Sequence, residues 1–402
     1  MDRRFKTELF FHPPDAFGIV SFYWWVGDKL EKERLLWQLD QLAGMDICGL
    51  QINYCHRDWG GQIYGLPYES DPKQFTDPWW ALFSWFLEEA EKRGISVSLS
   101  DYTLGTAGQG YYVDEILEAY PHLRGGELSC TAIPVQKGDT FQAAADPDRV
   151  ALVAYPLVES VPSAAEAAVL EPGRPFTAGD RDYIIADIGC KRAAYSIDPM
   201  HPDAGRAVIQ YFFQRFEDHN PGKAGKALNF FFSDELSFGV RGNLWNDNFR
   251  AAFLEKKGYD VVPFLYGLFA DIGAVTQKVR LDYYDVVVSL EEENYFAPIY
   301  QWHEERGMTY GCDHGGRGYD VTEFGDYFRT QKYNQGPGND QPGLASDVIK
   351  NKVASSIAHL YDRPRTWLEG FYGSGWGTSS GEVWDAVCRN FAMGHNLLSL
   401  HG

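Results

Sequence analysis

Three short apolar runs open the chain: "FGIVSFYWW" (Phe17 to Trp25), "CGLQINY" (Cys48 to Tyr54) and "ISVSLSDY" (Ile95 to Tyr102). Each is separated from the next by a stretch of helical period. This alternation limits the fold more than any other feature. A strand followed by a helix returns to lie parallel to the strand before it, which builds a parallel sheet covered by helices. The first helix is expected after Asp28, a cap with Glu31 three positions on, and carries Leu35, Leu39 and Leu42 on one stripe. The second opens at Asp77-Pro78, buries Phe83, Phe86, Leu87 and Ala90, and closes at Gly94.

The alternation breaks between about Gly126 and Ser196, where short β-like pieces such as "DRVALVAYPLV" and "DYIIADIG" stand between Pro, Gly and Asp. Residues 126–197 are therefore expected to form a β-rich insertion in a βα-loop, where long insertions are tolerated. Residues 1–125 and 198–402 form the host. The alternation resumes with a helix near Pro202 to His219 and a strand from Leu228. Helices follow near Trp245 to Lys257, Val275 to Arg306, Ala345 to Tyr361 and Glu382 to Met393, with strands in "MTYGCDHGG", "TWLEGFYG" and "LLSLHG". Seven strands are assignable, and the eighth is expected in "YDVVPFLYGLF" or past Gly402. A chain that stops directly after a strand is expected to be part of a longer protein.

Nearly every strand ends in polar or aromatic residues: Trp24-Trp25, Asn53-Tyr54, Asp101-Tyr102, Asp234-Glu235, Asp313-His314, Glu369 and His401. An open doubly wound sheet concentrates chemistry at one switch point. A (β/α)8 barrel instead builds its site from all the carboxyl-terminal strand ends, and that is the fold the pattern predicts.

"ALNFFFSDELSF" drives an apolar strand straight into Asp234 and Glu235, and "TWLEGFYGSGWG" ends another strand at Glu369. Two carboxyl groups on one rim suit glycosidic hydrolysis, in which one is protonated to serve the leaving oxygen and the other is ionised to activate water or attack. Trp24, Trp25, Tyr54, Tyr372 and Trp376 offer flat faces for a sugar ring. Asn53, Asp101, Asp234, Asp313 and His314 offer hydrogen bonds to hydroxyls or a cation. The acidic triplet Glu291 to Glu293 lies inside a helix and is expected on a solvated face. "HEER" at His303 lacks the second histidine of a zinc helix, and no Walker-type glycine loop, GxSxG elbow or Cys/His metal spacing occurs.

Flat aromatic faces stack on sugar rings, although composition by itself favours a large aromatic core. Aromatic residues reach 15% (12 Trp, 24 Tyr, 26 Phe), and acids exceed bases by 56 to 36 for a net charge of −20. Such a surface repels phosphate backbones and anionic lipid, so neither nucleic acid nor membrane is an expected partner. Six dispersed cysteines (Cys48, Cys55, Cys130, Cys190, Cys312, Cys388) and a start without a signal-length apolar segment predict reduced thiols and a cytoplasmic location.

Several phrases together resemble the barrel of glycoside hydrolase family 106, the α-L-rhamnosidases: "LLWQLDQLAGMDICGLQI", "FFSDELS", "FLEKKGYDVVPFLYGL", "VRLDYYDVVVSLEEENYFAPIYQWHEERGMTYGCDHGG", "RPRTWLEGFYGSGWG" and "NLLSLHG". They run in order from about residue 20 to the end and cover most of the chain outside the β insertion. The resemblance implies an inverting hydrolase with a calcium-dependent site, Glu235 as general acid and Glu369 as general base. The family carries an acidic metal-linked residue before the last catalytic strand. Here that segment is "NQGPGNDQPGLASD", which offers Asp340 and departs from the family in having no glutamate. Rival readings are a glycosidase for another sugar, with Arg241 or Arg317 gripping a uronic acid, a non-catalytic sugar-binding barrel, and a metal-dependent barrel isomerase or lyase.

Overall fold

A computed structural model describes residues 7–14, 17–26, 29–55, 68–100, 112–236, 238, 242–314, 327–341, 343–344 and 347–401, with the side chains of Val26, Tyr54, Cys55, Phe230, Phe231, Asp234, Glu235, Asp313 and His314 outside that set. The chain divides into two compact units. The first comprises Met1–Ile116, Gly205–Ser237 and Phe296–Gly402, and the second Leu117–Ala204 and Phe238–Tyr295.

The first unit is a (β/α)8 barrel. Its strands are β1 (Ile19–Val26), β2 (Ile47–Cys55), β3 (Ser96–Ser100), β4 (Leu228–Leu236), β5 (Thr309–His314), β6 (Gly336–Gln341), β7 (Trp367–Gly370) and β8 (Leu397–Leu400). They close in sequence order, every neighbouring pair is parallel, and β8 returns to β1 through Val20↔Ser399 and Ser21↔Leu400. The eighth strand is thus the "GPGNDQ" of β6. "VPFLYGL" (Val262–Leu268) is a 3-10 helix, not a strand.

Helices fill the crossovers much as the periodicity predicts. One spans Lys32–Ala43 with Leu35 and Leu39 buried and Glu31 as its N-cap, and Asp28 lies outside the described residues. Asp77–Glu91 buries Trp79, Trp80, Phe83, Phe86 and Leu87, and Gly94 takes the left-handed turn that ends it (φ 72°). Val348–Leu360 is capped by Asp347, and Ser380–Ala392 opens with a capping box between Ser379 and Glu382.

Inside the barrel, the Trp367 indole lies against Phe232 (ring centroids 4.2 Å) among Phe22 and Leu397. Its Nε1 donates to Ser399 Oγ (2.8 Å), which donates to Gln51 Oε1 (3.0 Å). Gly338 makes room for it: a Cβ there would sit 2.0 Å from Trp367 Cε3. This layer forms a floor beneath the carboxyl ends of the strands.

In the second unit, Arg124–Val135, Tyr183–Ile197 and Arg149–Val158 pair antiparallel in that spatial order. The boundaries read from sequence, 126–197, leave out 238–295, which the structure assigns to this unit. Trp245 N–H donates to Gly126 O (3.0 Å), Leu128 N–H donates to Asn243 O (2.8 Å), and Trp245, Phe249, Phe253 and Tyr283 share a core with Tyr155 and Ile188. The acidic triplet also differs from expectation. Glu291 and Glu292 are buried where the helix Thr276–Glu291 passes into a π turn, and Glu293 is exposed and pairs with Lys256.

Candidate active site

Side chains alternate across a strand, so one residue of each adjacent aromatic pair faces the barrel axis and the other the helix layer. On β1, Phe22 and Trp24 turn inward (centroids 5.9 Å). Trp25 turns outward and is buried against Trp79, Phe83 and Phe86 of the helix Asp77–Glu91. This corrects its reading as a sugar platform: its indole belongs to the wall.

Glu369 is buried on β7, two residues beyond Trp367 on the same face. Its register partners are Asp340 on β6 and Ser399 on β8. Partners in a parallel sheet project to the same side, so Asp340, also buried, stands beside Glu369 at the barrel mouth. On the other flank His401 Nε2 lies 3.8 Å from Glu369 Oε1. That separation exceeds a direct hydrogen bond yet lets a protonated imidazole steady the carboxylate. Three rings pack on His401: Phe22 (4.6 Å), Tyr372 (4.9 Å) and Trp24 (5.4 Å). Its backbone N–H donates to Gly370 O (2.9 Å). The result is a cup with a carboxylate at its base and aromatic rings on one side.

Asn53 is buried on β2 in register with Trp24, and its Nδ2 donates to Gln51 O at 3.5 Å, a long contact. Tyr372 and Trp376 lie on the loop after β7, which leaves the strand through Phe371 at φ 79°, a left-handed conformation that is costly for a bulky residue. Tyr372 reaches His401, whereas Trp376 is wholly exposed and is not among the rings packed there.

Asp101, Arg241 and Arg317 lie outside the described residues, as do the side chains of Tyr54, Asp234, Glu235, Asp313 and His314. The backbone of β4 is informative nonetheless. Ser233 pairs with Cys312 and Leu236 with His314, so Asp234 and Glu235 together stand opposite Asp313. This is a β-bulge, which bends a strand locally and recurs beside active sites.

The sequence reading set His401 aside and missed Phe22, Trp367 and the Gln51–Ser399 pair. Counting back by two from Trp24 and Glu369 would have found Phe22 and Trp367.

Calcium takes six to eight oxygen ligands. Asp340 supplies a buried carboxylate of the right hardness, but among the described residues no group of three carboxylate, histidine or cysteine ligands gathers at this mouth. The described residues by themselves do not complete a calcium shell. No described helix is long and apolar enough to cross a membrane.

No protein-family model and no curated protein matches the chain. Among solved structures, a rhamnosidase from Novosphingobium sp. PP1Y is similar with a TM-score of 0.68 at 12% identity, over 98% of this chain and 56% of that one. A polyextremophilic β-galactosidase from the Antarctic haloarchaeon Halorubrum lacusprofundi gives a TM-score of 0.51 at 12% identity, over 95% and 52%. The chain spans about half the length of these proteins. At such identities the likeness concerns the fold.

Proposed function

We propose that the chain is the catalytic barrel of a glycoside hydrolase that removes a terminal rhamnose-like sugar with inversion. The observation that carries this reading is the position of Glu369, buried at a carboxyl strand end beside Asp340 and His401 and beneath aromatic rings. The names of the two similar barrels, a rhamnosidase and a β-galactosidase, support the reaction class, and the first supports the sugar.

In this mechanism Trp24 and Tyr372 hold the apolar face of the sugar, and Asn53, Asp101, Asp234, Asp313 and His314 bond its hydroxyls. Glu369 takes a proton from water as the water attacks the anomeric carbon, and His401 holds the carboxylate's orientation. Glu235, at the end of β4, protonates the departing oxygen. Strands β5 and β6 separate β4 from β7 around the barrel.

Glu369→Gln should abolish most turnover of an aryl α-L-rhamnoside while leaving the fold intact; near-normal activity rejects the assignment. NMR of the first-formed sugar reads the stereochemistry directly. Inversion corresponds to carboxyl groups about 6.5–9.5 Å apart, and a retained anomer, expected at about 5–5.5 Å, would overturn the mechanism.

A further inference from the structure

The second unit contains a histidine pair that the barrel's chemistry does not use. His122 lies in the 3-10 turn Pro121–Leu123, just after the chain enters this unit, and His201 and Asp203 lie just before it leaves. Their rings are 5.0 Å apart, His201 Nδ1 is 3.9 Å from Asp203 Oδ2, and one ligand atom from each of the three residues falls within 4.8 Å of the others.

We propose that His122, His201 and Asp203 bind one divalent transition-metal ion of the zinc and nickel class. The donor set selects that class, because two imidazoles and one carboxylate suit zinc, nickel or copper, whereas calcium and magnesium take oxygen alone. Metal–ligand bonds of about 2.0–2.2 Å set tetrahedral ligand atoms about 3.3–3.6 Å apart, so the widest separation must contract by roughly 1 Å. The side chains can supply that movement, since His122 and Asp203 are exposed and His201 is half-buried. The backbone beneath them is fixed. Asp198 N–H donates to Leu123 O (2.8 Å), and the Asp198 carboxylate accepts from Met200 N–H (2.9 Å) and Asn246 Nδ2 (2.6 Å). His201 Nδ1 accepts a long bond from Asp203 N–H (3.2 Å), which an ion bound at Nδ1 would displace. Water completes the coordination shell. The ion would staple the segment that enters this unit to the segment that leaves it, across the 78 residues between His122 and His201.

The test is calorimetric titration of the chelator-stripped chain with Ni²⁺ and Zn²⁺, alongside visible spectra of the Co²⁺ form. One equivalent should bind, with nitrogen-ligated Co²⁺ absorption and a rise in the melting temperature. His122→Gln and His201→Gln should each weaken binding by about tenfold or more. The double variant should lose the melting shift while its metal-free melt stays that of the metal-free parent. Glu369→Gln should leave binding unchanged, which separates this site from the barrel mouth. Absence of stoichiometric binding, or binding undiminished in the double variant, overturns the proposal. If the double variant does not fold, Asp203→Asn and the single His122→Gln variant decide: full-strength binding in both overturns it.

Discussion

Trp24 and Trp25 are chemically identical and adjacent, and strand geometry assigns them opposite work. Trp24 faces His401 in the cup, and Trp25 is locked between Trp79, Phe83 and Phe86. Trp25→Ala should cost about 3–5 kcal/mol of stability, as other buried aromatic truncations do. Trp24→Ala should leave the melting temperature nearly unchanged while raising KM for a glycoside. Denaturant melts and steady-state kinetics on the two variants check this, and equal stability losses would refute the division of labour. At this scale the sequence was legible in residue type and less so in direction. It marked both tryptophans because both end a strand, and only the anchoring of Phe22 in the interior sets the phase of the alternation.

Among the elements, seven barrel strands could be read from apolar runs, and β6 could not. "GPGNDQ" has two glycines, a proline and three polar side chains, the reverse of strand composition. It is nonetheless buried throughout, and side chains of the neighbouring helices satisfy part of it. Asn339 Nδ2 donates to Asn351 Oδ1 (2.8 Å), Asn351 Nδ2 donates to Asn390 Oδ1 (3.0 Å), and Tyr327 Oη donates to Gly338 O (3.2 Å). Two of these partners lie on the helices that flank the strand and the third lies on the last helix, and what supports the strand is this polar network, which apolar periodicity does not register. Gly338→Ala should destabilise the barrel by about 1–3 kcal/mol, because its methyl group would overlap the Trp367 ring. Trp367→Phe in the same chain should recover part of the loss. A chemical-denaturation series measures both, and an unperturbed Gly338→Ala variant would refute the packing account.

Buried titratable groups in the two units pull stability in opposite senses as pH falls. In the barrel, burial pushes His303 down to about 3 and His395 down to about 4, from an ordinary 6.5. The unfolded chain takes up these protons near pH 6.5 and the fold does not, so stability falls as pH drops below that value, by about 1.4 kcal/mol per histidine per pH unit. In the second unit, burial lifts the Asp198 carboxyl from 3.8 to about 6. Its contribution is complete below pH 3.8 and is lost as pH rises through about 6. Between pH 7 and pH 5 these groups therefore weaken the barrel and strengthen its companion. Calorimetry should show the barrel's transition falling and that of its companion rising between pH 7 and pH 5, and Asp198→Asn should remove the shift of the second unit alone. Transitions that move together would refute this assignment. The sequence told little about this division of the chain. The pairing of Gly126 with Trp245 joins segments more than a hundred residues apart, and neither has a periodicity that announces the other.

The Trp367 layer has a consequence for traffic. Below it lies a cavity of about 170 Å³ bordered by Val20, Ser98, Thr309 and Arg365, and above it stands Glu369. An indole with no exposed surface separates the two compartments, so the barrel is a blind well and not a conduit. A guest admitted at the rim halts after one tier of side chains and departs by the way it came.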